Sequence, residues 1–536
     1  MTPLATLALT RGITRLLERF DNGPGATVGV VQDGALTIHR SAGLASLELG
    51  ILVGPETTFR VASVTKQFTC AAILMLADEG RLRLDDDARL HLPELPDMGA
   101  PVTVAHLMRN TSGIRDMLGI QRMGGADLGQ PVRPDELMDG ILRQRTLNFT
   151  PGSRFLYSNS NFLLLGRIVE RLSNEPLAAV LDRRLLTPAG MTRSRLVEQV
   201  STVVPGLATG YLRREGAWVR APHAFPLHGE GGLVSCVEDL ALWNRWLDAT
   251  PALAEALAQE TPFTNGHSSL YAQGQVVRGY RGVPTIGHGG LWPGYRTEFL
   301  RVPGENLAVI AISNRGDTDT SLLAHQVFDL LLDARPGIAP APASPAASDT
   351  TPLAGRWLDH DTGATLDITV AEDGTTTFTT YGLSFIPSLQ PDSRLGTIRG
   401  MTPFALRPVD SGTLQVEMDA GDTATYHRVP HGPALPDGPA LPDGLPGAYR
   451  SDEIAADWTL ANGASGPQVT ARGPVVSGGP WRIEPIEGDV IRIHVPDILF
   501  PSWLDASVLR GGTGGIEGLS VSSGRVKNVL FRRVAD

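Results

Sequence analysis

A segment rich in proline, alanine and serine divides this chain into two parts with different sequence patterns. Residues 334–351 contain Pro336, Pro340, Pro342 and Pro345. Such a composition favours an extended spacer, because proline fits neither a helix interior nor a central strand. The 536-residue chain is therefore expected to fold around separate cores on the two sides of this linker.

The part before the linker mixes helix and strand patterns. Residues 28–39 alternate around a turn signal as a hairpin does, and residues 307–313 form a short apolar run typical of a buried strand. Residues 68–79 and 161–172 show helical spacing instead. This mixture predicts an α+β or α/β domain over residues 1–335.

The part after the linker is dominated by strand patterns. Short alternating segments, such as residues 365–370 and 376–381, are joined by turn residues. Residues 353–359 are echoed by residues 445–451, and acidic residues follow both. A repeat of this kind indicates two related units. We expect two all-β domains, over residues 351–430 and 445–536.

A perfect tandem of Gly-Pro-Ala-Leu-Pro-Asp stands between these two domains. It occupies residues 432–437 and 438–443. Glycine and proline at this density are incompatible with a helix or a central strand. The tandem therefore predicts a second linker.

The charge of the chain argues against two classes of partner. Its formal net charge is −11, and it has no cluster of lysine and arginine. Nucleic acids and anionic membranes are bound through such clusters, so we expect neither as a partner. No apolar run approaches the length of a membrane span either.

The cysteines and the N-terminal residues indicate the compartment. Cys70 and Cys236 are too few for a disulfide framework or a four-ligand zinc site, and we expect both to be small buried hydrophobic residues. Residues 1–22 have the helical spacing of an amphipathic first helix and no basic start before a long apolar run. We therefore expect a cytoplasmic protein, unless a leader has been removed.

Ser63 and Lys66 form the first candidate motif, in the stretch Phe-Arg-Val-Ala-Ser-Val-Thr-Lys. Residues at this spacing share one face of a helix. A serine hydroxyl needs a base, and a lysine serves once burial and nearby cations lower its pKa toward neutrality. Alone, the pair is more often an exposed helix turn, so its assignment depends on the motifs that follow.

The second motif is Phe-Leu-Tyr-Ser-Asn, which contains Tyr157 and Asn159. Both side chains can project from one loop toward a common site. A tyrosinate at Tyr157 can share the proton of Lys66 and protonate a leaving group, and the Asn159 amide can bind both the lysine and a substrate carbonyl. The alternative is that Tyr157 is only a buried core phenol.

The third motif is Gly-His-Gly-Gly-Leu-Trp-Pro-Gly over residues 287–294. Gly289 and Gly290 allow a substrate to approach a strand edge closely. On such an edge the amide of Leu291 can join that of Ser63 as an oxyanion hole. His288 is then expected beside it, as a polarising group or a carboxylate contact.

These motifs, in this order, resemble those of the class C β-lactamase and penicillin-binding-protein-like serine hydrolases. Residues 106–113 and 231–235 are also similar to segments of that family. The resemblance covers about residues 10–333 and implies a β-lactamase-like α/β catalytic domain within a multidomain α+β chain. His288 replaces the usual lysine of the third motif, which makes β-lactamase and carboxypeptidase activities less expected.

The tail extends the resemblance to the D-aminopeptidase branch of that family, which has two antiparallel, lipocalin-like β-barrels after the catalytic domain. The resemblance implies release of an N-terminal D-residue from peptides, amides or esters. It also implies a loop from the last domain that reaches the active site. Residues 473–481 match that loop by position, with a plain hairpin loop as the alternative. Glu230 is the candidate acceptor for the substrate ammonium, with a solvated surface glutamate as the alternative.

Two rival functions stay open at this point. One is a carboxylesterase or amidase of the same family, and the other is an inactive domain that only binds peptides. The expected partner is a small peptide, amide or ester, with a homodimer as one option for the oligomeric state. We expect no cofactor and no metal, because the phosphate-loop pattern is missing and His360 fits a surface turn.

Overall fold

The structure is a computed structural model that describes residues 3–342, 345, 350–390, 392–397, 399, 404–418, 422–430, 441–464, 466–498 and 502–534. Of the predicted linker tandem at 432–443, residues 432–440 lie outside the described residues. In the described part of the chain, no helix is long and apolar enough to cross a membrane.

The helices belong to the N-terminal part. In chain order they are α1 (Pro3–Leu17), α2 (Thr65–Asp78), α3 (Val104–Met108), α4 (Met117–Met123), α5 (Pro134–Leu142), α6 (Asn159–Ser173), α7 (Leu177–Leu181), α8 (Thr187–Ala189), α9 (Val237–Ala249), α10 (Pro251–Ala258) and α11 (Thr320–Leu332). Short 3₁₀ turns lie at Glu18–Phe20, Ala62–Val64, Ala88–Leu90 and Thr351–Leu353, and a π turn at Asp182–Leu186. The predicted helices correspond to α1, α2 and α6.

The strands of the N-terminal part are β1 (Ala26–Gln32), β2 (Ala35–Ala42), β3 (Leu44–Ser46), β4 (Ile51–Leu52), β5 (Phe59–Arg60), β6 (Arg195–Leu196), β7 (Tyr211–Arg214), β8 (Ala217–Arg220), β9 (Leu233–Ser235), β10 (Val276–Tyr280), β11 (Val283–Trp292), β12 (Tyr295–Val302) and β13 (Leu307–Ser313). The predicted strand at 307–313 is β13. The predicted hairpin is the pair β1 and β2, whose turn places Asp33 and Gly34 at positive φ as a tight hairpin requires.

The central sheet of this part has the strand order β10-β11-β12-β13-β1-β2 and is antiparallel throughout. Helices α1 and α11 cover one face with a core that contains Ile13, Val28, Val309 and Phe328. The other face packs on a larger core that includes α2, α6 and α9. Strand β10 pairs with β11 only as far as Val276 and Gly287. Among the described strands, none pairs with that edge of β11 beyond Gly287.

The strands after the linker form two sheets. The first nine are β14 (Gly355–Leu358), β15 (Thr365–Val370), β16 (Thr376–Thr380), β17 (Leu383–Phe385), β18 (Ser388–Leu389), β19 (Leu395–Gly396), β20 (Phe404–Pro408), β21 (Thr413–Met418) and β22 (Asp422–Arg428). The last eight are β23 (Gly447–Ser451), β24 (Ala456–Gly463), β25 (Gly466–Arg472), β26 (Ser477–Glu487), β27 (Val490–Val495), β28 (Ser502–Arg510), β29 (Ile516–Ser522) and β30 (Val529–Arg533).

The two sheets differ in closure. Strands β23 to β30 form a closed barrel, as expected. Strands β14 to β22 form a nine-stranded sheet with β17 and β18 at its two ends. In the part of the chain that is described, those end strands are not paired with each other, so the first all-β unit is a curled half-barrel and not a closed one.

The repeated segments at 353–359 and 445–451 adopt the same local structure. The Trp357 indole donates to the carbonyl of Leu353 over 2.9 Å, and the Tyr449 hydroxyl donates to the carbonyl of Leu445 over 2.7 Å. In both copies the aromatic ring is buried. The sequence repeat therefore corresponds to a shared local structure at the first strand of each sheet.

Helix α4 packs against the apolar core of the closed barrel. Its residues Ile120 and Met123 belong to the same apolar core as Trp458 and Phe531 of the barrel. The Trp458 indole also donates to the carbonyl of Met123 over 2.9 Å. This contact fixes the barrel against the N-terminal domain next to the residues described below.

Candidate active site

Ser63 lies in a tight turn that connects β5 to α2. The residue before it, Ala62, has a φ of +48°, a left-handed conformation that is uncommon without glycine. The turn is held because Thr65 donates to the Ala62 carbonyl over 2.6 Å and accepts from the Leu233 amide over 3.0 Å. This turn places Ser63 just before the N-terminus of α2, and Lys66 lies in the first turn of that helix.

Lys66 is fully buried, and its ammonium nitrogen contacts three acceptors. Nζ lies 3.1 Å from Ser63 Oγ, 2.9 Å from Asn159 Oδ1 and 2.6 Å from the carbonyl oxygen of Glu230. Burial lowers the pKa of Lys66 to about 7; the Glu230 carboxylate opposes that shift and the Arg525 guanidinium adds to it. A lysine with this pKa can take a proton from Ser63 near neutral pH.

Tyr157 contacts the same serine from the other side. Its hydroxyl donates to Ser63 Oγ over 2.8 Å. Burial raises the pKa of Tyr157 above its ordinary value, which favours the phenol over the tyrosinate that the sequence motif suggests. This geometry makes Lys66 the candidate base of the cluster and Tyr157 the candidate proton donor.

Asn159 is oriented by an aspartate that the sequence motifs do not include. Asp116 Oδ2 accepts from the Asn159 backbone amide over 2.7 Å and from its Nδ2 over 3.0 Å. The side-chain oxygen of Asn159 is thereby directed at Lys66. Asp116 also caps α4, because its Oδ1 accepts from the Leu118 amide over 3.0 Å.

The unpaired edge of β11 runs beside the Ser63 turn. A Cβ atom on Gly290 would lie 2.2 Å from the Val61 carbonyl oxygen, so only glycine permits this approach. Leu291, the next residue, is 41% exposed and lines the cavity with Gly289 and Gly290. Its amide is the candidate oxyanion donor together with that of Ser63.

His288 is placed differently from the prediction. Its ring is fully buried, with Nδ1 2.6 Å from the Gly289 carbonyl and Nε2 3.0 Å from the Tyr271 hydroxyl. These partners fit a neutral ring protonated on Nδ1, and burial lowers the pKa of His288 to about 3. Because it faces Tyr271 and carries no charge, His288 supports the site from behind and cannot attract a substrate carboxylate.

Glu230 is buried at the cavity wall and is not the solvated glutamate of the alternative interpretation. Its Oε1 accepts from the His228 amide over 2.9 Å. Its Oε2 is buried without a hydrogen-bond partner among the described residues. Burial raises the pKa of Glu230, so a cation that binds at Oε2 would favour the ionised carboxylate.

A cavity of about 540 Å³ connects these groups. The N-terminal domain, the half-barrel and the closed barrel all contribute to its wall. From the N-terminal domain come Ser63, Tyr157, Asn159, Glu230 and Leu291, from the half-barrel Tyr381, Leu383, Phe385 and Arg399, and from the closed barrel Ser523, Gly524 and Arg525. The site is therefore a composite of distant parts of the chain.

The barrel segment at this cavity is not the one that the sequence indicates. Residues 473–481 pack on the end of α4, where added Cβ atoms on Gly473 and Gly478 would lie 2.1 Å from the Gly124 oxygen and 2.7 Å from the Gly125 Cα. The turn between β29 and β30 lines the cavity instead. The Arg525 guanidinium carbon lies 4.5 Å from the centre of the Tyr157 ring.

Among the described residues, one cluster has side chains of the kinds that bind metal ions. It consists of Glu170, Glu198 and His228. His228 Nε2 lies 3.2 Å from Glu170 and 3.0 Å from Glu198. Although burial lowers it, the two carboxylates raise the pKa of His228 to about 9. The three side chains form an ion-paired cluster behind Glu230.

Sequence reasoning missed Asp116, Tyr271 and Arg525. Asp116 follows the family-like segment at 106–113, and its position before α4 is a capping signal that would have identified it. Tyr271 and Arg525 carry no comparable signal, because each acts through contacts with residues distant in the sequence.

Comparison with known proteins agrees with this geometry. The beta-lactamase family profile matches residues 13–333. The chain belongs to the beta-lactamase family. Among members, it is 27% identical over 552 residues to a D-aminopeptidase of Brucella anthropi, covering 100% of both chains. It is 30% identical over 371 residues to a D-aminopeptidase of Gluconobacter oxydans, covering 68% of this chain and 69% of that protein.

Solved structures of other proteins share the fold of this chain. An octameric penicillin-binding protein homologue from Pyrococcus abyssi superposes with a TM-score of 0.56 at 22% identity, covering 78% of this chain and 99% of that one. A D-amino acid amidase from Ochrobactrum anthropi SV3 gives 0.54 at 22% identity, covering 61% and 99%. The predicted multidomain α+β architecture with a β-lactamase-like domain is confirmed.

Proposed function

We propose that this chain is a serine hydrolase that releases an N-terminal D-amino acid from peptides, amides or esters. The observation that carries the hydrolase assignment is the contact of Ser63 Oγ with both Lys66 and Tyr157 inside a cavity. The relation to a D-aminopeptidase over the whole chain supports the substrate class.

The proposed reaction begins when neutral Lys66 takes the proton of Ser63 and Oγ attacks the substrate carbonyl carbon. The amides of Ser63 and Leu291 then bind the oxyanion. As the carbon–nitrogen bond breaks, the leaving nitrogen takes a proton from Tyr157, which recovers one from Lys66. Water attacks the acyl-enzyme with its proton passing to Lys66, and Ser63 regains a proton as the acid leaves.

Glu230 is our candidate for the residue that selects a free amine. Its buried Oε2 is without a hydrogen-bond partner among the described residues, at the wall of the cavity that holds Ser63. A substrate ammonium would supply the missing donor and compensate the buried charge. An N-acylated substrate lacks that charge and should react more slowly.

The two rival functions have less support. A carboxylesterase does not need the unpaired Glu230 oxygen at the cavity wall. An inactive binding module does not need a buried lysine whose pKa is lowered to about 7 beside a serine. The homodimer stays a prediction.

The test compares four substrates on the wild type and Ser63→Ala: the p-nitroanilides of D-alanine, L-alanine and N-acetyl-D-alanine, and p-nitrophenyl acetate. We expect the free D-alanine anilide to react fastest and Ser63→Ala to lose about 10⁴-fold or more on every substrate. The matched control is Ser153→Ala, whose hydroxyl donates to the Thr150 carbonyl over 2.7 Å away from the cavity. A wild type that cleaves only the acetate ester would make the protein an esterase, and activity in Ser63→Ala would reject the nucleophile.

A further inference from the structure

The turn between β29 and β30 is fixed at the active site by contacts with the catalytic domain. The Arg525 carbonyl accepts from Asn148 Nδ2 over 3.2 Å and from the Asp116 amide over 3.4 Å. Beside it, Val526 packs so closely on Gly119 that a Cβ there would lie 2.5 Å from Val526 Cγ2. The position of Arg525 is therefore set by packing and does not depend on an exposed, mobile loop.

The Arg525 guanidinium is a cation in the cavity that has no anionic partner among the described residues. Two nearby arginines at this interface are paired, Arg115 with Glu453 over 2.8 Å and Arg122 with Asp497. Arg525 makes no ion pair with a carboxylate in the described part of the chain and instead lies over the Tyr157 ring. A half-buried guanidinium of this kind has its hydrogen-bond donors available for a ligand.

Because the Arg525 guanidinium lies over the Tyr157 ring, the position of Tyr157 indicates which part of a substrate Arg525 would contact. Tyr157 contacts Ser63 and, in the proposed reaction, gives its proton to the leaving nitrogen. In a dipeptide, the carbon bonded to that nitrogen carries the free α-carboxylate. The third-motif position, His288, offers no cation for this group, because its ring is neutral and faces Tyr271.

We propose that Arg525 binds the α-carboxylate of the leaving amino acid, which makes dipeptides with an N-terminal D-residue the preferred substrates over amides and esters. This inference rests on the proposed function. The carboxylate and the guanidinium can form two parallel hydrogen bonds, which lysine cannot reproduce. The closed barrel would then recognise the leaving group, and the N-terminal domain would perform the chemistry.

The test uses D-alanyl-glycine and D-alanyl-glycinamide, which differ only in that carboxylate, with release of D-alanine as the readout. We expect the wild type to prefer the free acid by about 30-fold in kcat/KM, the range of a charged hydrogen-bonded pair. Arg525→Gln should reduce this ratio to about 1, and Arg525→Lys should keep part of it. The ratio is the measured quantity because an effect of Arg525 on Lys66 is common to both substrates.

The matched control is Lys527→Gln, which removes a positive charge from the same turn at a residue whose ammonium lies 4.2 Å from the Tyr381 ring centre. It should leave the ratio unchanged. Two outcomes would overturn this inference and leave the proposed function standing. One is an unchanged ratio in Arg525→Gln. The other is an equal loss of activity on both substrates in an Arg525→Gln variant that melts like the wild type. A wild type that hydrolyses neither compound nor D-alaninamide would instead reject the proposed function.

Discussion

Lys66, the proposed base, is buried and has a lower pKa than a lysine in water. Its Nζ has three acceptors but no carboxylate oxygen among them. Burial disfavours the charged form, and the Arg525 guanidinium disfavours it further. The lowered pKa makes the neutral form of Lys66 more accessible near pH 7, as the proposed transfer of the Ser63 proton requires.

The pH dependence of acylation should follow this lysine. We expect kcat/KM for p-nitrophenyl acetate, which has no titrating group, to rise with pH with an apparent pKa of about 7. The rise comes from loss of the Lys66 proton, so activity is low below that pKa and constant above it. Arg525→Gln removes a cation that lowers this pKa, and the midpoint should move to higher pH. A flat profile between pH 5 and pH 9 would exclude Lys66 as the base.

At the scale of elements, the site is formed where β11 extends past its neighbour β10. The edge beyond Gly287 has no strand partner, and Gly290 allows the Val61 carbonyl to approach it. A strand edge with unpaired backbone groups is the means by which an extended substrate can be bound. The distance between β11 and the Ser63 turn therefore decides whether the two candidate oxyanion amides, those of Ser63 and Leu291, converge.

Gly290→Ala should separate them. A Cβ at this position meets backbone at 2.2 Å, so the strand has to move, and a displacement of this size costs about 100-fold in kcat. Gly279→Ala is the matched control, because an added Cβ on this β10 residue has nothing within 4 Å. Steady-state kinetics on the D-alanine anilide compares them. Equal activities would show that the edge of β11 does not hold the substrate.

Short motifs and uniform strands could be predicted from the sequence, whereas contacts between domains could not. Residues 307–313 are apolar throughout and form β13, and Ser63 and Lys66 are neighbours because a helix turn makes them so. The turns at 473–476 and 523–528 contain similar turn-forming residues. Which of them faces Ser63 depends on the orientation of the whole barrel, which no local pattern encodes.

At the scale of the molecule, that orientation depends on a few buried polar contacts. Glu453 pairs with the almost fully buried Arg115, whose guanidinium also donates to the Lys527 carbonyl over 3.3 Å. Trp458 adds its hydrogen bond to Met123. The half-barrel is joined to the closed barrel through Arg356 and Glu484, 2.6 Å apart and both buried.

Glu453→Gln should destabilise the assembled protein. It leaves the Arg115 charge buried without its carboxylate, a change that costs about 3 kcal/mol. Asp135→Asn is the control, because its ion pair with Arg133 is exposed and contributes less than about 1 kcal/mol. Urea denaturation followed by tryptophan fluorescence measures both. Equal midpoints for the two variants would show that the Arg115 pair does not hold the barrel in place.

The composite cavity has a consequence for the order in which the protein becomes competent during synthesis. A ribosome makes Ser63, Lys66 and Tyr157 well before it makes Arg525, which completes the cavity wall. If the proposed roles hold, a nascent chain carries the nucleophile before it carries the group that distinguishes among leaving groups.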